Sequence, residues 1–311
     1  MSPQEFKAFF RLSQEEVDSI LPVLRLPGII KTNMGDICTN KTAFLYVLAF
    51  LGGSSLYKLE QLFGRSYASI QRIVKHAMKT ILNLWEHLLD IGCAHEYGLQ
   101  PERLSQLSAA LRSFGSPSYN IWGFLDGTVR SIARPKRGQR SFYNGWKRVH
   151  AVKYQIVTAA DGLMWISGPY RGPRHDSTML KASKLHNWLD LHSARPNGEL
   201  LCLFADKGYA PRGLLMVPYK GVITDAQRRY NLAMSRVRVE VEHAIGWITR
   251  TFPRLDVKRL QRVLWSSLGR EYKVAVILVN ALSCLAGNQT SQRIGIDTPS
   301  LADYFVPKHD H

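Results

Sequence analysis

The stretch IWGFLDGT at residues 121–128 is an apolar run that ends in Asp126-Gly127. A second run, LLCLFADKGY at residues 200–209, ends in Asp206. Each reads as a buried strand followed by an acid, and open α/β sheets place their ligands at such strand ends. Asp-Gly is also a common turn, so one such acid alone is weak evidence. Two acids in equivalent positions favour a functional site.

The segments around these two strands predict an α/β fold. Residues 151–159 and 163–170 are β-rich runs separated by Asp161-Gly162, which is a strong hairpin signal. Strand, hairpin, helix, strand, strand and helix predict a mixed sheet flanked by helices, of the RNase H-like kind. The remaining predicted elements are a helix over 176–189, a strand over 214–219, and helices over 225–251 and 271–286.

Residues 1–95 predict a helical region that resembles a helix-turn-helix. Ser13 and Glu16 form a capping-box pattern, and Asn40 or Thr42 is a candidate cap of the next helix. A short helix over 56–63 and a longer one after Ser66 complete the outline. The longer helix would expose side chains suited to DNA, although a plain helix-packing module would look similar: Ser69, Gln71, Arg72, Lys75 and His76. Residues 96–118 predict a connector, 119–290 the main domain and 291–311 a C-terminal tail.

The composition indicates a polyanionic partner. The 311 residues include 41 Lys and Arg against 24 Asp and Glu, a formal charge of +17. Such an excess favours binding to a polyanion, because neutralised phosphates release counterions, although a merely basic protein would have the same balance. The four scattered cysteines have no zinc-type spacing. No stretch predicts a signal peptide or a membrane span, so we expect a soluble intracellular protein with no membrane association.

A third acid, Glu242, lies on the predicted helix over 225–251. It flanks an apolar stripe of helical period and is therefore next to the core without being in it. The ordinary alternative is an i,i+4 ion pair with Arg238. Three carboxylates from separate segments suit two Mg²⁺ or Mn²⁺ ions, which cleave phosphodiesters without a side-chain nucleophile. The stripe consists of Val237, Val241, Ile245, Ile248 and Phe252.

Asp-Gly-Thr after a strand also resembles the motif of phosphatases that use an aspartyl nucleophile. That nucleophile would stand two positions before Asp126, where this chain has Phe124. The phosphatase mechanism is therefore excluded.

Between Arg130 and Arg148 the chain has seven basic residues and no acidic one. Aromatic side chains at Phe142, Tyr143 and Trp146 alternate with them, a combination that suits DNA near a cut end. The alternatives are a solvated basic hairpin and a nuclear-import patch around residues 135–137. The basic residues are Arg130, Arg134, Lys136, Arg137, Arg140, Lys147 and Arg148.

An ordered series of motifs carries a family resemblance. The series is FLDGT at 124–128, GPRHDS at 172–177, ADKGY at 205–209, AQRRYN at 226–231, VEHAIGW at 241–247 and RTFPRL at 250–255. Together they resemble the DDE endonuclease domain of PIF/Harbinger transposases and of the Harbinger transposase-derived nuclease. The resemblance covers roughly residues 119–287, and the N-terminal FRLS and FGRS segments extend it.

The resemblance implies an RNase H-like fold with a catalytic triad of Asp126, Asp206 and Glu242 that holds Mg²⁺ or Mn²⁺. The second and third acids are 36 positions apart (242 − 206), a spacing similar to that usual in DDE enzymes. Asp176 matches a fourth acidic position and is a helix cap, an extra metal ligand or a residue that orients the ligands. His175 and His243 are expected to be packing residues or residues that support the ligands from behind, rather than ligands themselves. One basic position usual after Gly246 is missing here, which would weaken DNA contact.

The resemblance also implies a metal-dependent DNA endonuclease or transposase that works in the nucleus. A Myb-like accessory protein would assist DNA binding and nuclear entry, and without it the chain would stay in the cytoplasm. A homo-oligomer is compatible with this interpretation, and the oligomeric state stays open. The alternative function is a domesticated, catalytically idle DNA-binding protein derived from a transposase. A third class, a basic scaffold for protein partners, predicts no salt-dependent DNA affinity.

Overall fold

The computed structural model describes residues 1–263 and 267–308, apart from the side chain of Val241. The predicted contribution of that side chain to the apolar stripe therefore lies outside the described residues. The other four members of the stripe, Val237, Ile245, Ile248 and Phe252, are buried. The stripe therefore faces the core, as its period predicts.

The N-terminal region begins with two helices, α1 (Pro3–Phe10) and α2 (Gln14–Val23). The predicted capping box of Ser13 and Glu16 is present at the start of α2. A short antiparallel hairpin of β1 (Ile29–Lys31) and β2 (Ile37–Thr39) follows, and the sequence did not predict it. Strands of three residues have too few alternating positions for a strand pattern to be recognised in the sequence.

Three further helices complete this region: α3 (Asn40–Leu51), α4 (Leu56–Phe63) and α5 (Tyr67–Trp85). Thr39 caps α3, so the prediction of Asn40 or Thr42 was wrong by one to three residues. Gly64 ends α4 in a left-handed conformation and Ser66 caps α5, so the predicted helix-turn-helix outline is present. Ser69, which was expected to be exposed on α5, is buried.

The predicted connector contains a helix, α6 (Pro101–Phe114). Its Leu104, Leu107 and Leu111 are fully buried and follow helical spacing. Pro101 occupies the first turn of this helix, where a proline is tolerated. Residues 96–118 are therefore part of the packed body.

Six strands of the described chain form one mixed sheet, which confirms the predicted α/β class. Their order is β4-β5-β3-β7-β8, with β6 paired to β5. β3 runs antiparallel to β5 and parallel to β7, so β3 is central. The strands are β3 (Ile121–Ser131), β4 (Tyr143–Asn144), β5 (Val149–Ala159), β6 (Met164–Arg171), β7 (Cys202–Ala205) and β8 (Leu215–Met216).

Helices flank both faces of this sheet. The predicted helix over 176–189 is two helices, because Lys184 between them adopts a left-handed conformation with φ of 55°. The long helix predicted over 225–251 is confirmed, and Thr224 and Gln227 cap it. The helices are α7 (Asp176–Ala182), α8 (Leu185–His192), α9 (Asp225–Thr251), α10 (Leu268–Ala286), α11 (Gln289–Ile294) and α12 (Leu301–Tyr304).

One continuous hydrophobic core joins the N-terminal helices to the sheet. α10 packs against β6 on one side and against α2 and α5 on the other. The predicted tail contributes as well, since Phe305 is buried with its ring centroid 4.9 Å from that of Trp85. No helix in the described chain is long and apolar enough to span a membrane.

Candidate active site

Asp126 lies within β3 rather than at its end, which corrects the sequence prediction. The strand continues through Gly127 to Ser131 because each of these residues pairs with β5. β7, on the other side, ends at Ala205, which pairs with Leu125. Asp126 is therefore the first residue of β3 that extends past its parallel neighbour, and it lies half-buried at the carboxyl end of β7.

Asp206 is the next residue after β7 and stands beside Asp126. Leu125 and Ala205 are register partners in the parallel pair, so Asp126 within β3 and Asp206 just after β7 lie at the same level. Adjacent strands are about 4.8 Å apart. Two acids from segments 80 positions apart (206 − 126) are thus brought together by strand register alone.

Arg238 connects Asp206 to Glu242, one turn along α9. Its Nη1 lies 3.7 Å from Oδ1 of Asp206, and its Nη2 lies 2.7 Å from Oε1 of Glu242. The side chain of Arg238 is 27% exposed, that of Asp206 47% and that of Glu242 49%, so all three are open to solvent. Asp126, Asp206 and Glu242 are called the acid cluster below. The i,i+4 pair of Arg238 and Glu242, which the sequence offered as the ordinary alternative, is present, and the metal site of the three acids stays a prediction.

The charges of Arg238, Asp206 and Glu242 affect the pKa of Asp126. Burial raises the pKa of Asp126, and the nearby carboxylates of Asp206 and Glu242 raise it further. The backbone N–H of Gly127 donates to Asp126 Oδ1 at 2.7 Å and, with the Arg238 guanidinium, lowers this pKa and partly offsets the rise. Asp126 therefore lies within electrostatic reach of Asp206, Glu242 and the guanidinium that pairs with both of them.

Asp176 lies on the other face of the sheet. Side chains alternate between faces along a strand, so Asp126 shares its face with Tyr154, whose ring stacks on Tyr272 of α10. Gly127 faces the opposite way, and a Cβ added there would lie 3.4 Å from Oδ1 of Asp176. The Asp176 carboxylate is therefore behind the strand that carries Asp126.

Lys153 on β5 holds Asp176 in that position. Its Nζ lies 2.5 Å from Oδ1 of Asp176 and also donates to the carbonyl of Arg174 at 3.0 Å. A Cβ added at Gly208 would approach Oδ2 of Asp176 to 2.8 Å, so the carboxylate packs tightly under the turn that follows Asp206. Sequence reasoning missed Lys153, although a single lysine inside the apolar run of β5 was a signal.

Tyr209 lies at the end of the turn that follows Asp206. It is buried, and burial together with Asp176, Asp126 and Asp206 raises the pKa of its hydroxyl far above the usual range. Its hydroxyl and the Gln155 amide lie close together without a hydrogen bond of standard geometry. The phenol is thus a neutral group that packs behind the acids.

The two histidines do not contact the acid cluster in the described residues. His175 is exposed at the start of α7, and its side chain makes no capping bond. His243 Nδ1 lies 3.4 Å from Oε2 of the buried Glu240, which also pairs with Arg293. The predicted role of both histidines behind the ligands stays a prediction.

The basic run forms a loop and hairpin beside β3 and is largely exposed. Trp146 is 93% exposed, and Tyr143 is 43% exposed. Arg130 is the exception, because it lies against the Tyr272 ring and pairs with Asp256 at 3.6 Å. The exposed basic residues are Arg134, Lys136, Arg137, Arg140, Lys147 and Arg148.

The two predicted DNA contacts on α5 differ in their surroundings. Arg72 makes a bidentate pair with Asp36, at 2.6 Å from Nε and 2.8 Å from Nη2. This pairing, with Thr32, holds the pKa of Asp36 well below its usual range. Lys75 is exposed. Arg72 therefore stabilises the β1–β2 hairpin, whereas the charge of Lys75 faces solvent.

The chemistry of the donor set fits divalent metal ions. Asp126 and Asp206 offer hard carboxylate oxygens at adjacent register positions, and Glu242 adds a third from α9. Across residues 1–263 and 267–308, no three His, Cys, Asp or Glu side chains converge closely enough to hold one ion as they stand. Instead, a guanidinium lies between Asp206 and Glu242.

Comparison with known proteins identifies the family. Residues 125–280 match the DDE superfamily endonucleases, which is half of the chain (156 of 311 residues). The chain therefore belongs to the DDE superfamily endonucleases. The probable transposase for insertion sequence element IS702 of Microchaete diplosiphon is 29% identical over 138 residues, or 41% of this chain. The match spans 46% of that relative's length, and no solved structure matches.

Proposed function

We propose that the protein is a metal-dependent DNA endonuclease of the transposase type, which cleaves or transfers DNA phosphodiesters. The observations that carry the proposal are the adjacent register positions of Asp126 and Asp206 and the pairing of Arg238 with both Asp206 and Glu242. The match to the DDE superfamily covers all three acids. The family and the similar transposase both point to DNA as the substrate.

In this proposal the three acids are the metal ligands. Asp126 and Asp206 would hold Mg²⁺ or Mn²⁺ between the two strands, and Glu242 would hold a second ion from α9. Bound divalent ions supply an activated water or hydroxyl and stabilise the leaving oxygen of the phosphodiester. The rigid pairing of β3 with β7 fixes the two aspartates before any ion arrives, which lowers the entropic cost of binding.

Asp176 supports this site by position. The extra-ligand role predicted from the sequence requires its carboxylate to reach the face of Asp126, whereas Lys153 holds it behind Gly127. We therefore assign Asp176 to holding the turn after Asp206 in place. His175 and His243 remain candidates for supporting roles at the two flanks.

The exposed basic loop offers a surface for the DNA next to the acids. It follows β3, which ends five residues beyond Asp126 (131 − 126), so a bound DNA strand could contact both the loop and the acids. The flat face of Trp146 is available for an unstacked base. On α5, the exposed Lys75 could contact phosphates directly, whereas Arg72 would contribute only after release from Asp36.

The ordered motifs from FLDGT to RTFPRL support a finer assignment to the PIF/Harbinger type. For that type we propose action in the nucleus and a Myb-like accessory protein that assists DNA binding and import. Homo-oligomerisation is compatible with the proposal. The proposed nuclear import can be tested by microscopy: co-expression with candidate Myb-like proteins should move a fluorescent fusion of this protein from the cytoplasm to the nucleus.

A nicking assay tests the enzyme proposal. Purified protein with Mn²⁺ should convert supercoiled plasmid to nicked circles, and Asp126→Ala should abolish the conversion. Asp225→Ala is the matched control, because Asp225 is an acid on α9 whose side chain is 83% exposed. Equal nicking by wild type and Asp126→Ala would remove the enzyme proposal.

The same assay separates the alternative functions. A domesticated and idle protein would bind DNA with salt-dependent affinity and leave the plasmid intact under every metal condition. A basic scaffold for protein partners would show no salt-dependent DNA affinity. The intact acid cluster favours the enzyme over the idle protein.

A further inference from the structure

Arg238 occupies the position in the cluster where a cation is needed. Its guanidinium contacts Oδ1 of Asp206 at 3.7 Å and Oε1 of Glu242 at 2.7 Å. Both of its ion pairs in the described chain are with these acids. The side chain is 27% exposed, so it is partly accessible to solvent.

The contacts of Arg238 conflict with metal binding at the same atoms. A divalent ion bound to Asp206 and Glu242 needs the oxygens that Arg238 now engages, and two cations at one carboxylate repel each other. A divalent ion has twice the charge of the guanidinium, so it wins the competition when its concentration is sufficient. The flexible stem of Arg238 then lets its head move toward solvent while its backbone stays in α9.

A displaced guanidinium at this place would meet the DNA. Arginine binds phosphate through two parallel hydrogen bonds, and a scissile phosphate must lie beside the metal ligands. We propose that Arg238 is the counter-ion of the acid cluster, that divalent ions displace it, and that it then binds a DNA phosphate at the cut. This inference rests on the proposed function, because it uses the same site and substrate.

The proposal predicts effects of opposite sign in one variant. Arg238→Met removes the competing charge, so Mn²⁺ measured by electron paramagnetic resonance should bind about three- to tenfold more tightly. DNA affinity, measured with Ca²⁺ in place of Mn²⁺, should fall by about three- to tenfold. The slope of log affinity against log salt should shrink by about 0.9, the value of one lost phosphate contact. A merely structural role would weaken both kinds of binding together.

Three further variants control the test. Arg236→Met removes an exposed charge two residues away that has no ion pair in the described residues, so its Mn²⁺ affinity should stay within about twofold of wild type. Arg238→Lys keeps the charge without the fork and should retain wild-type Mn²⁺ affinity with weakened DNA binding. Arg238→Gln repeats the main test with a polar side chain if the methionine variant does not fold.

The outcomes distinguish this inference from the proposed function. If wild type binds Mn²⁺ and Asp126→Asn abolishes that binding, the metal site stands. Mn²⁺ binding by Arg238→Met and Arg238→Gln that is equal to or weaker than wild type would then overturn the role of Arg238 alone. Unchanged DNA affinity in those variants would overturn its phosphate contact. Absence of Mn²⁺ binding by wild type would overturn both proposals.

Discussion

Removal of Lys153 should destabilise the protein without changing its metal ligands. Its side chain is 9% exposed and that of its partner Asp176 is 28% exposed. Breaking a buried pair by removing one partner costs about 3–5 kcal/mol. Because Asp176 keeps some contact with water, we expect Lys153→Met to lower the free energy of unfolding by about 2–3 kcal/mol. With an unfolding entropy of about 2.1 cal/mol/K per residue, this corresponds to a Tm lower by about 3–5 °C.

A double-mutant cycle measures the pair directly. Chemical denaturation of Lys153→Met, Asp176→Asn and the double variant should give a coupling energy above about 1 kcal/mol, since the double variant leaves no unpaired charge. Asp176→Asn should keep Mn²⁺ affinity within about threefold of wild type, as a residue behind the strand would. Loss of Mn²⁺ binding in Asp176→Asn to the extent seen in Asp126→Asn would refute this reasoning and make Asp176 a metal ligand.

Three further predictions follow from particular contacts. Asp126→Asn should raise the Tm at pH 7 in the absence of divalent ions. The pKa of Asp126 is raised in the folded state, so ionisation of this carboxyl destabilises the wild-type protein as the pH rises. The gain in Tm should vanish below about pH 4, where Asp126 is protonated in both states. Trp146→Ala should leave stability within about 0.5 kcal/mol yet weaken binding to DNA with single-stranded ends by about 1–3 kcal/mol, measured by fluorescence anisotropy against a blunt duplex. Lys75→Met should weaken DNA binding at unchanged Tm. Arg72→Met should lower the Tm at pH 7, and by less at low pH, where Asp36 is protonated and its ion pair with Arg72 is lost in the wild type as well. Equal Tm values for the two α5 variants would contradict the last assignment.

Strand periodicity and apolar runs were sufficient to predict the sheet and its hairpin. The 151–159 and 163–170 runs became β5 and β6, with Gly162 at a positive φ of 83° in the turn between them. No helix was predicted at α6, which lies in the predicted connector, although its buried leucines follow helical spacing. Strand periodicity failed for β1 and β2, whose length is below one clear period.

For the site, the sequence supplied the three acids but not their arrangement. Asp126 was placed at a strand end, since the pairing of residues 127–131 with β5 is a long-range contact that local patterns do not carry. The side of the sheet on which Asp176 lies depends on register and on Lys153, which no motif singled out. Arg238 was visible only as a helical neighbour of Glu242, because its contact with Asp206 requires the fold.

The most direct test of the central claim is anomalous diffraction from crystals soaked in MnCl₂. We predict Mn²⁺ peaks beside the carboxylates of Asp126 and Asp206 and toward Glu242, two ions about 4 Å apart, with Arg238 turned away from them. Peaks confined to other acids, or none near these three while Arg238 keeps both of its contacts, would contradict the account.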